Sequence, residues 1–359
     1  MKLTDREWRA FDAFGENRLF DIHTTSSSID KNKLISGNDD KVPYVTRSGG
    51  SNGIAGFVST ANYEFGADPA NVITVGLDTQ TAFYQPYKFV TGQNIQVITG
   101  KNLNPLVIQF LLPLFRNQMT AKFNWGGNGA TLSRMKRLRL MLPVDGQGQP
   151  DYQFMADYER ELVQHKREQY LAYAKKQQAH IGNVVETAPL SDKKWVPFFL
   201  NELFDVNPGV RLINKNKKPG TKPFIGAVDN SNGITGFVSN TNQSEDSNVL
   251  GVNYNGTPGI AFYHPYTALF SDDVKRLKLK DSAHNTKNVL LFMKAIVMKQ
   301  RGKYNYGCKF NASRMNRQKL YVPVNDQDQG QPDYDYMEQY VKNLMIKKYQ
   351  SYLDYLQKH

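Results

Sequence analysis

The side chains able to do covalent chemistry are few and scattered. The histidines His23, His165, His180, His264, His284 and His359 stand as singles, none at the spacing of a metal-binding pair. With Cys308 as the one cysteine, neither an internal disulfide nor a cysteine-rich zinc site can form, and it suits a small packing residue. An Asp-x-Lys of the metal-nuclease kind occurs at Asp192-Lys193-Lys194, but so short a pattern carries almost no information. An enzyme that methylates a base needs a glycine-rich cofactor loop after a strand and a Pro-Pro-aromatic loop for the flipped base. No Pro-Pro dipeptide occurs, and no strand–loop–helix with a later acidic residue frames Gly126-Gly127-Asn128-Gly129, which suits a loop. No nucleophile–base pairing is visible. The chain reads as non-catalytic, with no metal site and no cofactor of its own.

What the sequence does carry is polar and basic loops of the kind that read nucleic acid. Base reading uses Asn, Gln, Arg, Lys and Ser/Thr on loops, backed by basic residues on phosphates. Thr46, Arg47, Ser48, Ser51 and Asn52 form one such loop, matched by Asn230, Ser231 and Asn232. Lys122, Asn124, Trp125 and Asn128 form another, matched by Lys303, Tyr304, Asn305, Tyr306 and Lys309. Basic and aromatic residues interleave there, as a nucleic-acid surface requires. Arg134 and Arg137, repeated as Arg314 and Arg317, suit either phosphate contact or a structural role on helix carbonyls and acids. The net charge of +12 points the same way, because a basic chain favours an anionic partner.

These matches come from an internal duplication. Ser51-Asn52-Gly53-Ile54-Ala55-Gly56-Phe57-Val58-Ser59 recurs as Ser231-Asn232-Gly233-Ile234-Thr235-Gly236-Phe237-Val238-Ser239. Ala82-Phe83-Tyr84-Gln85-Pro86-Tyr87 recurs as Ala261-Phe262-Tyr263-His264-Pro265-Tyr266, and Ser133-Arg134-Met135 as Ser313-Arg314-Met315. Gly148-Gln149-Pro150-Asp151-Tyr152 recurs as Gly330-Gln331-Pro332-Asp333-Tyr334, and the offset stays between about 179 and 182 through these blocks. The starts match more loosely, Asp5, Trp8 and Phe11 against Asp192, Trp195 and Phe198. A domain-sized period is a duplication rather than a solenoid. The shared blocks, Phe57 and Phe237 included, read as turn and core. Residues 24–41 against 207–222, and 116–131 against 299–311, differ in length and sequence. One scaffold with two dissimilar loop sets is what reading two different half-sites requires.

The elements that hold these loops follow from periodicity. Val72–Val75 and Ile95–Ile98 read as strands, Pro105–Met119 and Asn288–Gln300 as helices, and Leu138–Leu142 and Lys319–Val322 as closing strands. Past Pro150 and Pro332 the composition turns helical, with Asp favoured at the positive end of the new helix. Met155, Tyr158, Leu162 and Tyr173 mark a stripe on the first helix, and Met337, Tyr340, Leu344 and Tyr355 on the second; both stripes are expected to bind a partner. The expected class is α/β (α+β): a domain at 1–150, a spacer helix at 151–182, a linker at 183–191, a second domain at 192–332 and a second helix at 333–359. A helix of about 25 residues is ~37 Å long, and two of them paired antiparallel about a pseudo-twofold would make a rigid spacer. The N-terminus lacks a signal-peptide core and no apolar run is long enough to span a bilayer, which points to a soluble, cytoplasmic protein with no membrane partner.

The order domain, helix, domain, helix resembles the specificity (S) subunits of restriction–modification systems. Leu19-Phe20-Asp21-Ile22, Asn52-Gly53-Ile54-Ala55-Gly56-Phe57-Val58, Phe83-Tyr84, Ser133-Arg134-Met135 and their second copies carry the resemblance over essentially the whole chain. It implies that each domain is a target recognition domain reading one half of a bipartite site in double-stranded DNA. The helices would set the gap and dock a methyltransferase or a fused restriction–modification subunit, and that partner would hold S-adenosylmethionine and Mg²⁺. Pro143-Val144-Asp145 running into Gly148-Gln149-Pro150-Asp151-Tyr152 is more similar to the type IIB (BcgI-like) branch than to type I. Two rival readings are a self-contained nuclease or methyltransferase with an unfamiliar site, and a protein-interaction module that does not bind DNA.

Overall fold

The β-branched run Val72–Gly76 is buried along its whole length, as a central strand should be. In the computed structural model it pairs antiparallel with Ile95–Thr99 on one side and Thr81–Gln85 on the other, and Asp21–Thr24 completes a four-stranded sheet. The structure describes residues 1–358 apart from 16–17, 38–39, 124–128, 306 and 326–329. The chain falls into two compact units, Met1–Tyr170 and Leu171–His359, so the divide lies inside the first long helix, Tyr152–Ile181.

In the first unit the helix Pro105–Lys122 covers the sheet, burying Val107, Ile108, Leu111 and Phe115 in one core with Ile73, Val75 and Ile98. Asn104 starts that helix, its side chain accepting from the N–H groups of Leu106 and Val107 at 3.0 Å each, with proline in the first turn. A second sheet orders Ile54–Val58, Val42–Val45 and Val90–Thr91. Its last pair is parallel. Trp8–Asp12 closes against Arg139–Pro143.

The second unit repeats this arrangement register by register. Trp8 faces Pro143 and Trp195 faces Pro323; Ile73 faces Ile98 and Leu250 faces Leu277. The register irregularity at Tyr44/Val45 recurs at Phe224/Ile225, and the parallel pair recurs between Pro219–Ile225 and Ala268–Phe270. The helix Lys287–Lys299 takes the covering role.

The interiors differ at two matched positions. Asp68 is fully buried beside Phe89 and accepts from the hydroxyls of Thr25 and Ser26. Its counterpart Asp246, beside Ala268, pairs at 2.9 Å with Arg276, which also donates to the Pro208 carbonyl at 2.9 Å. Gln85 donates to Thr74 Oγ1 at 3.0 Å, whereas its counterpart His264 lies against Gly251, where a Cβ would come within 2.7 Å of Nε2. Glycine makes room for the ring. Burial, with the Lys294 ammonium nearby, pushes His264 down from 6.5 to about 4.

Because that histidine is lowered in the folded state, the unfolded chain takes up its proton first as pH falls. Its contribution to stability is therefore complete above about pH 6.5 and is lost between there and about pH 4. The loss is on the order of 3 kcal/mol at most. His264→Gln, the first unit's own residue, should flatten the urea-midpoint profile over that window; an unchanged slope would place the acid sensitivity elsewhere.

Candidate nucleic-acid interface

Each shared Ser-Asn-Gly block is a tight left-handed turn. Asn52 has φ 56° and Asn232 φ 53°, a region asparagine tolerates better than most residues. The Asn52 amide donates to the Tyr84 carbonyl at 2.6 Å, and the Asn232 amide to the matching Tyr263 carbonyl at 3.3 Å and to Tyr266 Oη at 2.8 Å. Gln85 returns a bond to the Asn52 carbonyl at 3.1 Å. These amides thus fasten the turn to the Phe-Tyr strand in both units. Thr46 N–H donates to Gly53 O at 2.8 Å, so the turn in turn holds the neighbouring loop. Ser51, Asn230 and Ser231 sit on the exposed side of the turns, and Ser48 bonds within its own loop.

Phe57 and Phe237 correct the reading of the shared block as core. Each is 56% exposed, because strand alternation turns Ile54 and Val58 inward and leaves position 57 outward.

The basic candidates separate by what they touch. Arg134 Nη1 donates to the Gly129 carbonyl at 3.0 Å and Arg314 Nη1 to the Lys309 carbonyl at 2.8 Å, the same five-residue step back in both units. Of the two roles open from sequence, these contacts are the structural one: the arginine closes the loop before its helix. Arg317 bonds Ser313 O at 3.3 Å, and Arg137 and Lys122 are exposed. Lys303 bonds the Gln300 side chain at 2.7 Å. Tyr304 is a correction: it stacks on buried Phe310 at 4.2 Å and donates to Gln318 Oε1 at 2.6 Å, which makes it part of the core wall. Asn305 accepts from the Cys308 N–H at 2.9 Å within a local turn. Asn124, Trp125, Asn128 and Tyr306 lie outside the described residues. Arg47 pairs with Asp78 at the surface.

The helix stripes divide in two. Met155 and Met337 are fully buried, Tyr158 packs edge-on to Phe110, and Tyr340 packs edge-on to Phe292. As partner-facing residues the two methionines are corrected, because the first turns of each long helix complete their own unit's core, while Tyr158 and Tyr340 are half-buried and Tyr340 also lines an open groove with Leu344. Farther along, Leu162, Tyr173, Leu344 and Tyr355 are exposed. The exposed apolar positions recur in register, Leu3, Met141 and Leu162 against Leu190, Tyr321 and Leu344. In the second unit the last three line one groove with Trp195 and Phe292. Within that unit Tyr173 meets Tyr349 edge-on, and Gln178 donates to Gln350 at 3.3 Å. Asn343 is a residue the sequence reading missed: buried in the second long helix, it holds both the N–H and the carbonyl of Val185. It stands beside the stripe rather than on it, so no local pattern signalled it.

The middle residue of the Asp192-Lys193-Lys194 run has a structural role. Lys193 Nζ bridges Asp333 at 2.8 Å, as Arg6 bridges Asp151 at 2.9 Å. Among the described residues no group of three or more His, Cys, Asp or Glu is placed to hold a metal ion, and no helix is long and apolar enough to cross a membrane.

Comparison with known proteins agrees with this geometry. The family model described as the type I restriction modification DNA specificity domain matches twice, at residues 17–171 and 192–352. The specificity subunit of the type II restriction enzyme BcgI from Heyndrickxia coagulans is 39% identical over 330 residues, covering 92% of this chain and 93% of that protein. The crystal structure of a type I restriction–modification S subunit from M. genitalium shares the fold at 17% identity, with TM-score 0.52 and coverage of 100% of this chain and 94% of that one.

If the shared asparagines are scaffold, Asn52→Ala or Asn232→Ala should destabilise its own unit by about 1–3 kcal/mol, through the lost bond and the strained left-handed alanine. Urea unfolding reads this directly. An unchanged midpoint with DNA affinity lost would make them readers instead.

Proposed function

The chain belongs to the restriction–modification DNA specificity family, and from that premise we propose that it reads a bipartite site in double-stranded DNA, one half per unit. A specificity subunit is non-catalytic and directs chemistry done by the other subunits of its complex. Here we take that partner to be a single polypeptide fusing nuclease and methyltransferase, as in a type IIB system, which would bind S-adenosylmethionine and Mg²⁺. The whole assembly would work in the cytoplasm, where its DNA is.

One observation carries the reading: a scaffold built twice in the same register presents two different sets of polar loops. Identical frames can be docked by identical partners while unlike loops choose unlike bases. Thr46, Arg47, Ser48 and Ser51 in the first unit, and Asn230, Ser231, Lys303 and Lys309 in the second, are the side chains proposed to face DNA. Lys122, Arg137 and Arg317 supply phosphate contacts. Asn124, Trp125, Asn128 and Tyr306 keep the same proposed role.

For partner docking, the groove of the second unit that Leu190, Tyr321 and Leu344 line is the proposed surface, with the exposed Leu3, Met141 and Leu162 as its counterparts in the first unit. The long helices, paired antiparallel, would hold the two units apart by the unspecified gap.

Co-expression with the neighbouring methyltransferase polypeptide, followed by mapping of methylated adenines, tests this. Methylation should fall on one split motif and vanish when this chain is omitted. Exchanging residues 1–150 for those of a relative should change one half only. Affinity should also fall by about 10³–10⁵ between 50 and 200 mM salt if roughly six to ten phosphates are neutralised. Methylation that persists without the chain would overturn the proposal, as would salt-insensitive binding for its phosphate contacts.

A further inference from the structure

The parallel strand pair of each unit ends at one place on the scaffold, and the residues that follow are unlike in the two copies. Tyr44 pairs with Val90 and Phe224 with Leu269, so the positions after the pair correspond one to one. Thr46-Arg47 stands where the second unit has Gly226-Ala227, and Gly92-Gln93 where it has Ser271-Asp272. The incoming loop is anchored the same way: Ile29 N–H donates to Thr91 O at 2.7 Å and Val210 N–H to Phe270 O at 2.9 Å, which sets Asp30 opposite Arg211. Around this point the frame is retained, with Val45, Phe89, Ile225 and Ala268 all buried. Only the rim changes its hydrogen-bonding type.

In the first unit that rim borders an open pocket of about 200 Å³, with Asp30, Lys31, Thr46, Arg47 and Gln93 around it and Ile29 and Tyr44 behind. Its back wall is fixed, since Tyr44 Oη donates to Ile29 O at 2.9 Å and the left-handed turn holds Thr46. In open α/β sheets ligands bind outside the carboxyl ends of the strands, and here too the loops leave the frame at that end and differ between the units while the frame does not. In each unit a guanidinium is parked on a surface carboxylate. Arg47 bridges Asp78, and Arg211 lies 3.9 Å from Asp272 with its side chain 78% exposed. Exposed pairs of this kind exchange at little cost.

From this we infer that the base-reading cleft of each unit lies at the carboxyl end of its parallel strand pair, with Arg47 and Gln93 reading in the first unit and Arg211 and Asp272 in the second. Arg47 leaves Asp78 for the O6/N7 edge of a guanine, which matches its two-pronged donor face. Gln93 can pair with adenine, and Asp272 can accept from a cytosine amino group. The charge and amide types at matched positions then give the two units different half-site preferences on one frame. This inference rests on the reading of the chain as a DNA specificity subunit.

The test is methylated-adenine mapping with the full complex carrying Arg47→Lys, Arg47→Gln or Asp272→Asn. Lysine keeps the charge but loses the fork. Both Arg47 variants should relax one position of one half-site by about 5- to 150-fold and leave the other half intact; Asp272→Asn should alter the opposite half. A wild-type motif from Arg47→Lys, with weaker binding to all sequences from Arg47→Gln, would make Arg47 a phosphate contact and overturn the inference. An unchanged motif from both Arg47→Gln and Asp272→Asn would move base reading elsewhere while leaving the specificity role standing. Absence of any split motif with the wild-type chain would instead sink that role itself.

Discussion

One aspartate at the start of each long helix ties the helix to its unit, and the course of the helix out of that unit depends on it. Asp151 accepts from the Phe154 N–H at 2.8 Å and from the Arg6 guanidinium at 2.9 Å, while its own N–H donates to the Pro143 carbonyl at 2.9 Å. Asp333 does the same with Tyr336, Lys193 and Pro323. The cap satisfies an otherwise orphaned helix donor and sets a carboxylate at the positive end of the dipole. The basic partner comes from the N-terminal segment and the carbonyl from the closing strand, so the direction of the helix is fixed by both ends of the unit. This cluster sets the angle at which each helix leaves its own unit.

The motif leading into the cap follows from the same requirement. Asp145 Oδ1 accepts from the Gln147 and Gln149 N–H groups at 2.9 Å each, and Gly148 takes φ 77°, which a side chain rarely adopts. The chain thereby reverses between the last strand and the helix in a few residues, with Val144 bridged to Pro150. Gly330 and the Val324–Pro332 bridge repeat it. The copies have drifted elsewhere in compensated sets: Thr74 with Gln85 against Gly251 with His264, and hydroxyls around Asp68 against Arg276 on Asp246. A buried charge left by removing one partner is costly, so such sets change together or not at all. Each set closes within its own unit, and a whole unit can therefore be exchanged more safely than a single strand.

Much of this was legible in the sequence because repeated blocks report register as well as relatedness. The Ser-Asn-Gly turn, the closing strand and the aspartate cap all lie where the matched blocks put them. What stayed hidden depended on which face of an element meets its neighbour. Met155 and Met337 continue the same stripe as Leu162 and Leu344, and periodicity alone cannot say where the domain core ends and the free helix begins. Phe57 looked like core because phenylalanine usually is, yet strand alternation faces it outward. Tyr304 looked like a reader because it sits between lysine and asparagine, and only the Phe310 ring beneath it shows otherwise. The reading cleft was half visible, in Thr46 and Arg47. Gln93 and Asp30 reach it from segments far off in sequence, and no local pattern joins them.

The duplication also limits where discrimination can reside. A residue present in both copies and held by the same bonds imposes the same preference on both halves, so it can position DNA or a partner but cannot make the halves differ. Asn52 and Asn232, each donating to the tyrosine carbonyl of the Phe-Tyr strand, and Arg134 and Arg314 are of this kind. Choice must fall to matched positions whose chemistry changes while their backbone does not. The end of the parallel strand pair meets that condition: the register through Tyr44 and Phe224 is the same, and the next side chains pass from a threonine and an arginine to a glycine and an alanine. A frame this closely retained around such unlike tips costs the fold little when the tips change again, because the bonds that hold each turn run through backbone carbonyls and the Phe-Tyr strand rather than through the tips.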